Sequence, residues 1–314
     1  MIYTVTLNPA IDETIELKRL EANGVSEFLS LSRLAAGKGV NVSRALKTLG
    51  QESVPVVLIG SSGVPLFRTQ MAEVSLPWVS FSYEGETRVS NTLIFQENAC
   101  NTHIRKPGRV PENFDLRPVE EYLYSSVEAE DVVVLSGSLP EGLGEDTYAR
   151  LIGNLNDRGV LTVLDTSGSA LDEGITACPF CLKINLDEFI DFAAQSEEDA
   201  GDFKETLRSL HRGGISLVII TMGQEGAMLF DGESLLFARS KDKLKEMEQR
   251  YTVGSGDVFL AAFLAAMQSG RNLEECLKEA VACGAANALK PGAAIFDPDD
   301  RQRYLAVIEF KKEK

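Results

Sequence analysis

The feature that most constrains this chain is a rhythm of short, mostly apolar, β-branched runs separated by stretches of helical spacing. The runs at 3–7, 54–59, 132–135, 161–164, 182–184 and 217–221 are too short for buried helices, and they lack the polar alternation of a half-exposed strand. Each is therefore predicted as a strand covered on both faces. Between them, 43–49, 118–127, 146–156 and 203–211 have helical spacing, and Gly50 stops the first of these. Continuous apolar strands alternating with helices predict the α/β class, a doubly wound and mostly parallel sheet flanked by helices.

Two segments break the rhythm, 11–34 and 79–106, where apolar and polar residues alternate as in Phe28-Leu29-Ser30-Leu31-Ser32. They are expected as half-exposed antiparallel strands. Each follows a core strand or its helix, so the pair would form a small β lid over the strand ends. The organisation expected is an α/β domain over 1–10, 35–78 and 107–314, with the lid over 11–34 and 79–106. Further along, 227–230 and 235–238 flank Asp231-Gly232-Glu233, a hairpin signal. A charged stretch, 241–250, follows. The last third reads as helices over 258–269, 272–289 and 298–310, the first apolar almost all round and so expected to be buried.

Charge and cysteine usage exclude several function classes. The 314 residues carry 31 Lys and Arg against 47 Asp and Glu, a net charge of −16, which repels nucleic-acid backbones and anionic lipid surfaces. No basic segment precedes Lys18, and the longest apolar run, 258–267, is ten residues where a membrane-spanning helix needs ~20. A cytoplasmic location is expected. Of the five cysteines only Cys178 and Cys181 are close, and there are two histidines, His103 and His211. Reduced thiols are the simplest reading, and neither a zinc site nor Ser-His-Asp chemistry has the neighbours it requires.

The stretch richest in chemistry is Thr252-Val253-Gly254-Ser255-Gly256-Asp257 ahead of the apolar helix. Two glycines let a ligand approach the backbone, and a helix start offers free N–H groups to an anion. An Asp beside such a site can accept a hydroxyl proton while the N–H groups hold phosphoryl oxygens; it can equally be an ordinary helix cap. Asn185 and Glu188, three apart after a strand, could order Mg2+ directly or through water, or close a capping box. Thr221, Gly223 and Gly226 leave the strand 217–221 at the sheet edge where doubly wound proteins bind ligands. Near the start, Asp12 offers an acceptor to sugar hydroxyls, and Gly37-Lys38-Gly39 opens a helix toward Asn41. Neither a Walker A loop nor a dinucleotide fingerprint is present.

Taken in order, Asp12, Gly37-Lys38-Gly39, Thr87-Arg88, Ser136-Gly137-Ser138-Leu139-Pro140, Asn185-x-x-Glu188, Thr221-x-Gly223-x-x-Gly226 and Gly254-Ser255-Gly256-Asp257 resemble the ribokinase-like sugar kinases. The openings Thr6-Leu7-Asn8-Pro9-Ala10-Ile11-Asp12 and Gly37-Lys38-Gly39-Val40-Asn41-Val42-Ser43-Arg44 look like the branch containing 1-phosphofructokinase and tagatose-6-phosphate kinase. That resemblance implies an ATP- and Mg2+-dependent kinase acting on a small phosphorylated ketohexose, with Asp257 as general base and Gly254, Ser255 and Gly256 as the anion hole. It implies that Asp12, Gly37, Lys38, Gly39, Asn41, Arg88 and Ser136 bind the acceptor. It puts Lys183, Asn185, Thr221, Gly223, Gly226 and Asn287 with ATP, with Asn185 and Glu188 ordering the metal through water. Lids of this family often pair between subunits, which makes a homodimer an expectation.

Three departures bear on the acceptor. Ile184 replaces the family's proline, Glu27 stands where a basic residue is common, and Ser90 stands where Asn is common. The last two weaken phosphate recognition, with Arg105 or Lys106 available as a second cation. A kinase for a free sugar or nucleoside is therefore one alternative, and a catalytically weak nucleotide or sugar sensor another.

Overall fold

The computed structural model describes residues 1–21, 23–97, 100–195, 202–241, 251–290 and 292–313. Its first strand, β1 (Ile2–Thr6), is buried along its whole length and lies in the interior of a large sheet. On one flank β1 pairs in parallel with β4 (Val54–Gly60), and β4 with β5 (Val79–Tyr83). On the other flank, parallel pairing runs through β8 (Val132–Ser136), β9 (Leu161–Asp165), β10 (Cys181–Asn185) and β11 (Leu217–Thr221). Antiparallel β12 (Ala227–Phe230), β13 (Leu235–Ser240) and β14 (Ile308–Glu313) complete the ten described strands.

Because successive strand side chains point to opposite faces, one apolar run supplies two cores. Val132, Val134, Leu217 and Ile219 join the core built on α1 (Lys38–Thr48), α8 (Ser255–Gln268) and α9 (Leu273–Asn287). Their neighbours Val133, Leu135, Val218 and Ile220 join the opposite core. That one is covered by α3 (Arg117–Ser126), α4 (Thr147–Asn156), α5 (Ser169–Thr176), α6 (Leu186–Gln195) and α7 (Phe203–Arg212). A third cluster joins Phe67 and Met71 of α2 (Val64–Glu73) to Val57 and Ile59 of β4. Tyr304 of α10 (Pro298–Leu305) packs into the first core. Helix α8 is buried from Asp257 to Leu264, and α1 and α9 pack directly against it.

A second, four-stranded sheet has the order β3 (Phe28–Ala36), β2 (Ala10–Leu17), β6 (Arg88–Phe95), β7 (Cys100–Arg105). Its two hairpins are antiparallel, but β2 and β6, which join them, run parallel, so it is mixed where antiparallel strands are expected. Residues 79–83, also expected there, form β5 at the edge of the large sheet instead. Their alternating burial is that of an edge strand with one covered face.

The apolar runs appear as strands within about two residues of expectation at each end, and the 227–238 hairpin forms as read. Helix α1 starts at Lys38, where Gly37-Lys38-Gly39 is expected to open it, and Gly39 lets its first turn press on β1; a Cβ there would sit 2.5 Å from Thr6 Oγ1. Two differences have physical causes. The helix expected over 298–310 ends at Leu305, and Ile308–Glu313 pairs with β13 as β14. Helix α2 carries little periodic signal of its own, whereas α5 and α6 are as amphipathic as the helices expected from sequence. Apart from Lys241, the charged stretch 241–250 lies outside the described residues.

Burial sets the cost of truncation. Phe263→Ala in the fully buried face of α8 is expected to lower unfolding free energy by about 3–5 kcal/mol in urea titration. Ile190→Ala on α6, where the residue is 52% exposed, is expected to stay within about 0.5 kcal/mol of the parent.

Candidate active site

Strands β1 and β8 are neighbours, yet the chain leaves them in opposite directions along the sheet, β1 toward β4 and β8 toward β9. Such a reversal opens a crevice at the carboxyl ends of the strands. A cavity of about 710 Å³ occupies it, lined by Thr6 and Asn8 after β1, by Ser136 and Gly137 at the end of β8, and by Gly37, Lys38 and Asn41 of the α1 start. The small sheet contributes Asp12, Arg88, Ser90 and Arg105. A smaller cavity of about 410 Å³ adjoins it and shares Asn185, Thr221, Thr252 and Gly256. This second space runs past Gly223 and Gly226 and is walled by Phe259, Val281 and Ala285 of α8 and α9.

The start of α8 lies where the two cavities meet. Gly254 holds φ at 81°, and a Cβ there would come 2.7 Å from the Ala294 nitrogen, so the tight entry into the helix requires glycine. Asp257, in the first turn, is 6% exposed and accepts a hydrogen bond from Asn41 Nδ2 at 2.8 Å. Burial and then the nearby Asp165 charge push its carboxyl up to about 6, against the pull of Lys38, Asn41 and Lys183.

Asp165, at the end of β9, is fully buried, and its Oδ1 accepts from Lys38 Nζ at 2.9 Å and from Lys183 Nζ at 3.2 Å. Burial alone would raise its carboxyl, but the two ammonium groups more than offset this and hold it below the usual carboxylate range. Burial likewise opposes the Lys38 charge, yet Asp165 and Asp257 keep that ammonium above the usual lysine range. Lys183 Nζ lies 3.0 Å from where a Cβ on Gly256 would stand. Two carboxylates and two ammonium groups thus form one charge cluster beside the helix start. Asp165 was not among the residues the sequence singled out; its signal was an acidic residue directly after an apolar strand, at the sheet edge where ligands bind.

Most of the expected residues line one or both cavities. Asp12, Gly37, Lys38, Asn41, Arg88, Ser136, Gly254, Gly256 and Asp257 line the larger, and Ser255, Gly223 and Gly226 the smaller. Burial raises the Asp12 carboxyl, with Arg88 and Arg105 pulling the other way. Arg88 donates to the Asn8 carbonyl, its Nη2 at 3.1 Å. Ser136 Oγ is buried without a hydrogen-bond partner among the described residues.

Lys183, expected with the nucleotide, is drawn by Asp165 into the larger cavity, its Nζ beside Gly256 on the border with the smaller one. Two expectations need correction. Asn287 is fully buried, and its amide donates to the Val253 carbonyl at 3.0 Å and Ser255 Oγ at 3.1 Å, while its Oδ1 accepts from the Ile295 N–H. It braces the loop ahead of α8 from below, with no polar atom left for a nucleotide. Gly39 lines neither cavity; it serves the contact of α1 with β1.

Asn185 and Glu188 close a reciprocal capping box, each backbone N–H donating to the other's side chain at 2.8 Å. One carboxylate oxygen, Glu188 Oε1, makes no hydrogen bond among the described residues. No group of three or more His, Cys, Asp or Glu that could hold a metal ion occurs among them. A hard oxygen pair of this kind fits Mg2+, which keeps several waters and is held mainly by the phosphates of its nucleotide. No helix among the described residues is long and apolar enough to cross a membrane.

Comparison with known proteins agrees with this architecture. Residues 5–300 match the pfkB family carbohydrate kinase model. The chain is 33% identical over 284 residues to a 1-phosphofructokinase of Xanthomonas campestris, covering 89% of this chain and 88% of that protein. It is 28% identical to a tagatose-6-phosphate kinase of Staphylococcus epidermidis, covering 98% and 99%. In fold it is similar to the crystal structure of phosphofructokinase-2 from Escherichia coli, with TM-score 0.88, 24% identity, and coverage of 97% and 98%.

Asp165→Asn leaves two cations, one of them buried, facing a neutral amide. The substitution is expected to cost about 3–5 kcal/mol in unfolding free energy at neutral pH. Because the folded carboxyl lies below its ordinary value of 3.8, its contribution is complete above that pH and is lost as acid drives the folded group through its own titration. Urea titrations of both proteins should therefore converge as the pH is lowered below 4 and stay apart at pH 7.

Proposed function

The chain belongs to the pfkB family of carbohydrate kinases, and from that premise we propose that it transfers the γ-phosphoryl group of ATP to a hydroxyl of a phosphorylated ketohexose, fructose 1-phosphate or tagatose 6-phosphate. The observation that carries this reading is the position of Asp257 where a cation-rich cavity meets an apolar one. Five cations (Lys38, Arg88, Arg105, Lys106, Lys183) and three carboxylates (Asp12, Glu141, Asp257) line the larger cavity, in a chain whose net charge is −16. A local excess of positive charge in an acidic protein suits an anionic acceptor. The apolar walls of the smaller cavity suit a nucleotide base.

On this reading Asp257 takes the proton of the attacking hydroxyl, and the Gly254–Gly256 backbone at the helix start holds the phosphoryl oxygens. Asp12 and Asn41 orient the sugar hydroxyls, and Arg88 with Arg105 holds its phosphate, since Lys106 is already engaged by Glu86 at 2.8 Å. Glu27, whose charge would repel that phosphate, is exposed and does not line the cavity, while Ser90 does. Lys183 faces the transferring group at Gly256, and Thr221, Gly223 and Gly226 border the nucleotide. Mg2+, bound with the nucleotide and ordered by Asn185 and Glu188 through water, would neutralise charge on the transferring phosphoryl group.

The small sheet is proposed as a lid that excludes water from the transfer. Phe28, Leu29 and Leu31 are exposed on its edge strand β3, a surface that a second copy's lid would cover, giving a homodimer. A cytoplasmic location is proposed to go with this, and the free thiols of Cys178, Cys181, Cys276 and Cys283 suit a reducing compartment.

The reading is tested by ADP release with Mg-ATP over fructose 1-phosphate, fructose 6-phosphate, tagatose 6-phosphate and the unphosphorylated sugars. Turnover confined to a phosphorylated ketose is expected. Turnover on free sugars alone would overturn the assigned acceptor, and ATP binding without turnover on any of them would favour a sensor. Asp257→Asn is expected to lower kcat by about 10²–10⁴ with nucleotide affinity little changed. Since the base must be ionised and its carboxyl in the free protein lies at about 6, kcat/KM should be level near neutrality and fall as pH drops through that value.

A further inference from the structure

One buried charge has no part in the reading above. Arg44, two turns into α1, is 7% exposed, and among the described residues no carboxylate lies within ion-pair distance of it. Its guanidinium donates instead to three neutral oxygens from three segments. Nη2 donates to the Ala35 carbonyl at 2.6 Å, and Nη1 to Asn41 Oδ1 at 3.1 Å and to the Ala293 carbonyl at 3.4 Å. Ala35 lies at the end of β3, the root of the small sheet. Ala293 lies against Gly254, where a Cβ would meet its Cα at 3.0 Å. Burial lowers the Arg44 guanidinium to about 10, with Asp12 and Asp257 as the charges that oppose this. A buried cation without a direct counter-ion is costly, so its retention asks for a reason.

The reason lies in the chemistry of the Asn41 amide. Arginine can only donate and an ionised carboxylate can only accept, so an amide between them has one allowed orientation, Oδ1 toward Arg44 and NH2 toward Asp257. Both bonds are present, at 3.1 and 2.8 Å, and the i, i+3 spacing puts Asn41 and Arg44 on one face of α1.

We propose that Arg44 is a positioning residue for Asp257, acting through Asn41: it locks the amide with its NH2 end on the carboxylate and anchors that lock to the root of the small sheet. The inference rests on the kinase reading only for its kinetic consequence. The other charged groups that face Asp257 are Asp165 from β9, Lys38 from α1 and Lys183 from β10. None of them contacts Arg44, so they are constant across the variants below.

Arg44→Lys is the discriminating variant, because it keeps the charge but offers a single ammonium where a planar fork reaches separate acceptors. In the full-length protein, with Asp side chains labelled with carbon-13 at the carboxyl and the Asp257 resonance assigned by its loss in Asp257→Asn, the titration midpoint of Asp257 is read without any substrate. Arg44→Lys and Arg44→Met are expected to raise it by about one pH unit, because an amide free to turn no longer holds the ionised form. In an Asn41→Ala background Arg44→Lys should move it no further. An unmoved midpoint in Arg44→Lys, or a further shift in the Asn41→Ala background, would overturn the proposal. If Arg44→Met fails to fold, Arg44→Lys alone decides. With an active acceptor, the acid limb of kcat/KM should move by the same amount, and kcat at pH 7 should fall about 10–100-fold with the KM for ATP unchanged. A wild-type protein silent on every sugar would count against the kinase reading and leave the carboxyl titration as it stands.

Discussion

A carboxylate can occupy the interior of a sheet edge only if cations face it, and the fully buried Asp165 meets this requirement with two, Lys38 and Lys183. The requirement reaches well beyond the pair. Lys38 is the first residue of α1, so satisfying Asp165 fixes where that helix begins and therefore where Asn41 and Arg44 stand. Lys183 lies in β10 two residues before Asn185, so the same pairing fixes the strand end that borders both cavities. The start of α8 approaches Lys183 across Gly256, which has no side chain to separate them. One buried negative charge thereby brings together the consecutive strands β9 and β10 with α1 and α8, which lie far from them in sequence on either side.

The second buried carboxylate has the opposite fate. Asp165 is held below the usual range by two direct ammonium partners, whereas Asp257 has one neutral amide donor and a like charge nearby, and is pushed up to about 6. Two carboxyl groups of one type, close together, are thus driven apart in proton affinity by their surroundings, the arrangement from which structural and proton-accepting roles separate. Arg44 fits the same logic. Its positive charge lies beyond the amide rather than against Asp257, so it lowers the proton affinity of the carboxylate through the Asn41 bond and by less than a direct ion pair would.

The parts of this arrangement legible in the sequence were those with a local signature. Strands such as 132–135 and 217–221 were readable because a parallel strand covered on both faces must be apolar at every position. The glycines and Asp257 were readable because a helix start that admits an anion needs those residue types in that order. Less legible were features fixed by a distant partner. Strand β5 alternates like a lid strand and was told apart only by pairing with β4. Ile308–Glu313 continues a helical pattern until β13 claims it. Asn287 looked like a polar group near a ligand, and only its four bonds to the loops at Tyr251, Val253, Ser255 and Ile295 reveal a brace. Asp165 follows its strand as many aspartates do, and its importance appears once Lys38, 127 positions away, is beside it.

The acceptor cavity gains a further property from how the small sheet is attached. Strand β2 leaves the large sheet directly after β1, and β3 returns directly into α1, so both ends of this hairpin are rooted at the floor of the cavity. The chain segments entering and leaving the small sheet carry Asn8 on one side and Gly37, Lys38 on the other, all of them cavity-lining. Any rocking of that hairpin must therefore be absorbed at residues 8–10 and 35–37. On the return side the Ala35 carbonyl is held by Arg44 at 2.6 Å, and on the outgoing side the Asn8 carbonyl is held by Arg88 of β6 and the Asn8 amide by Ser138 at 3.1 Å. Both roots are thus tied to the large domain, the returning one through Arg44 of α1 and the outgoing one through Ser138 just after β8, while the Arg88 bond couples the outgoing root to the small sheet as well.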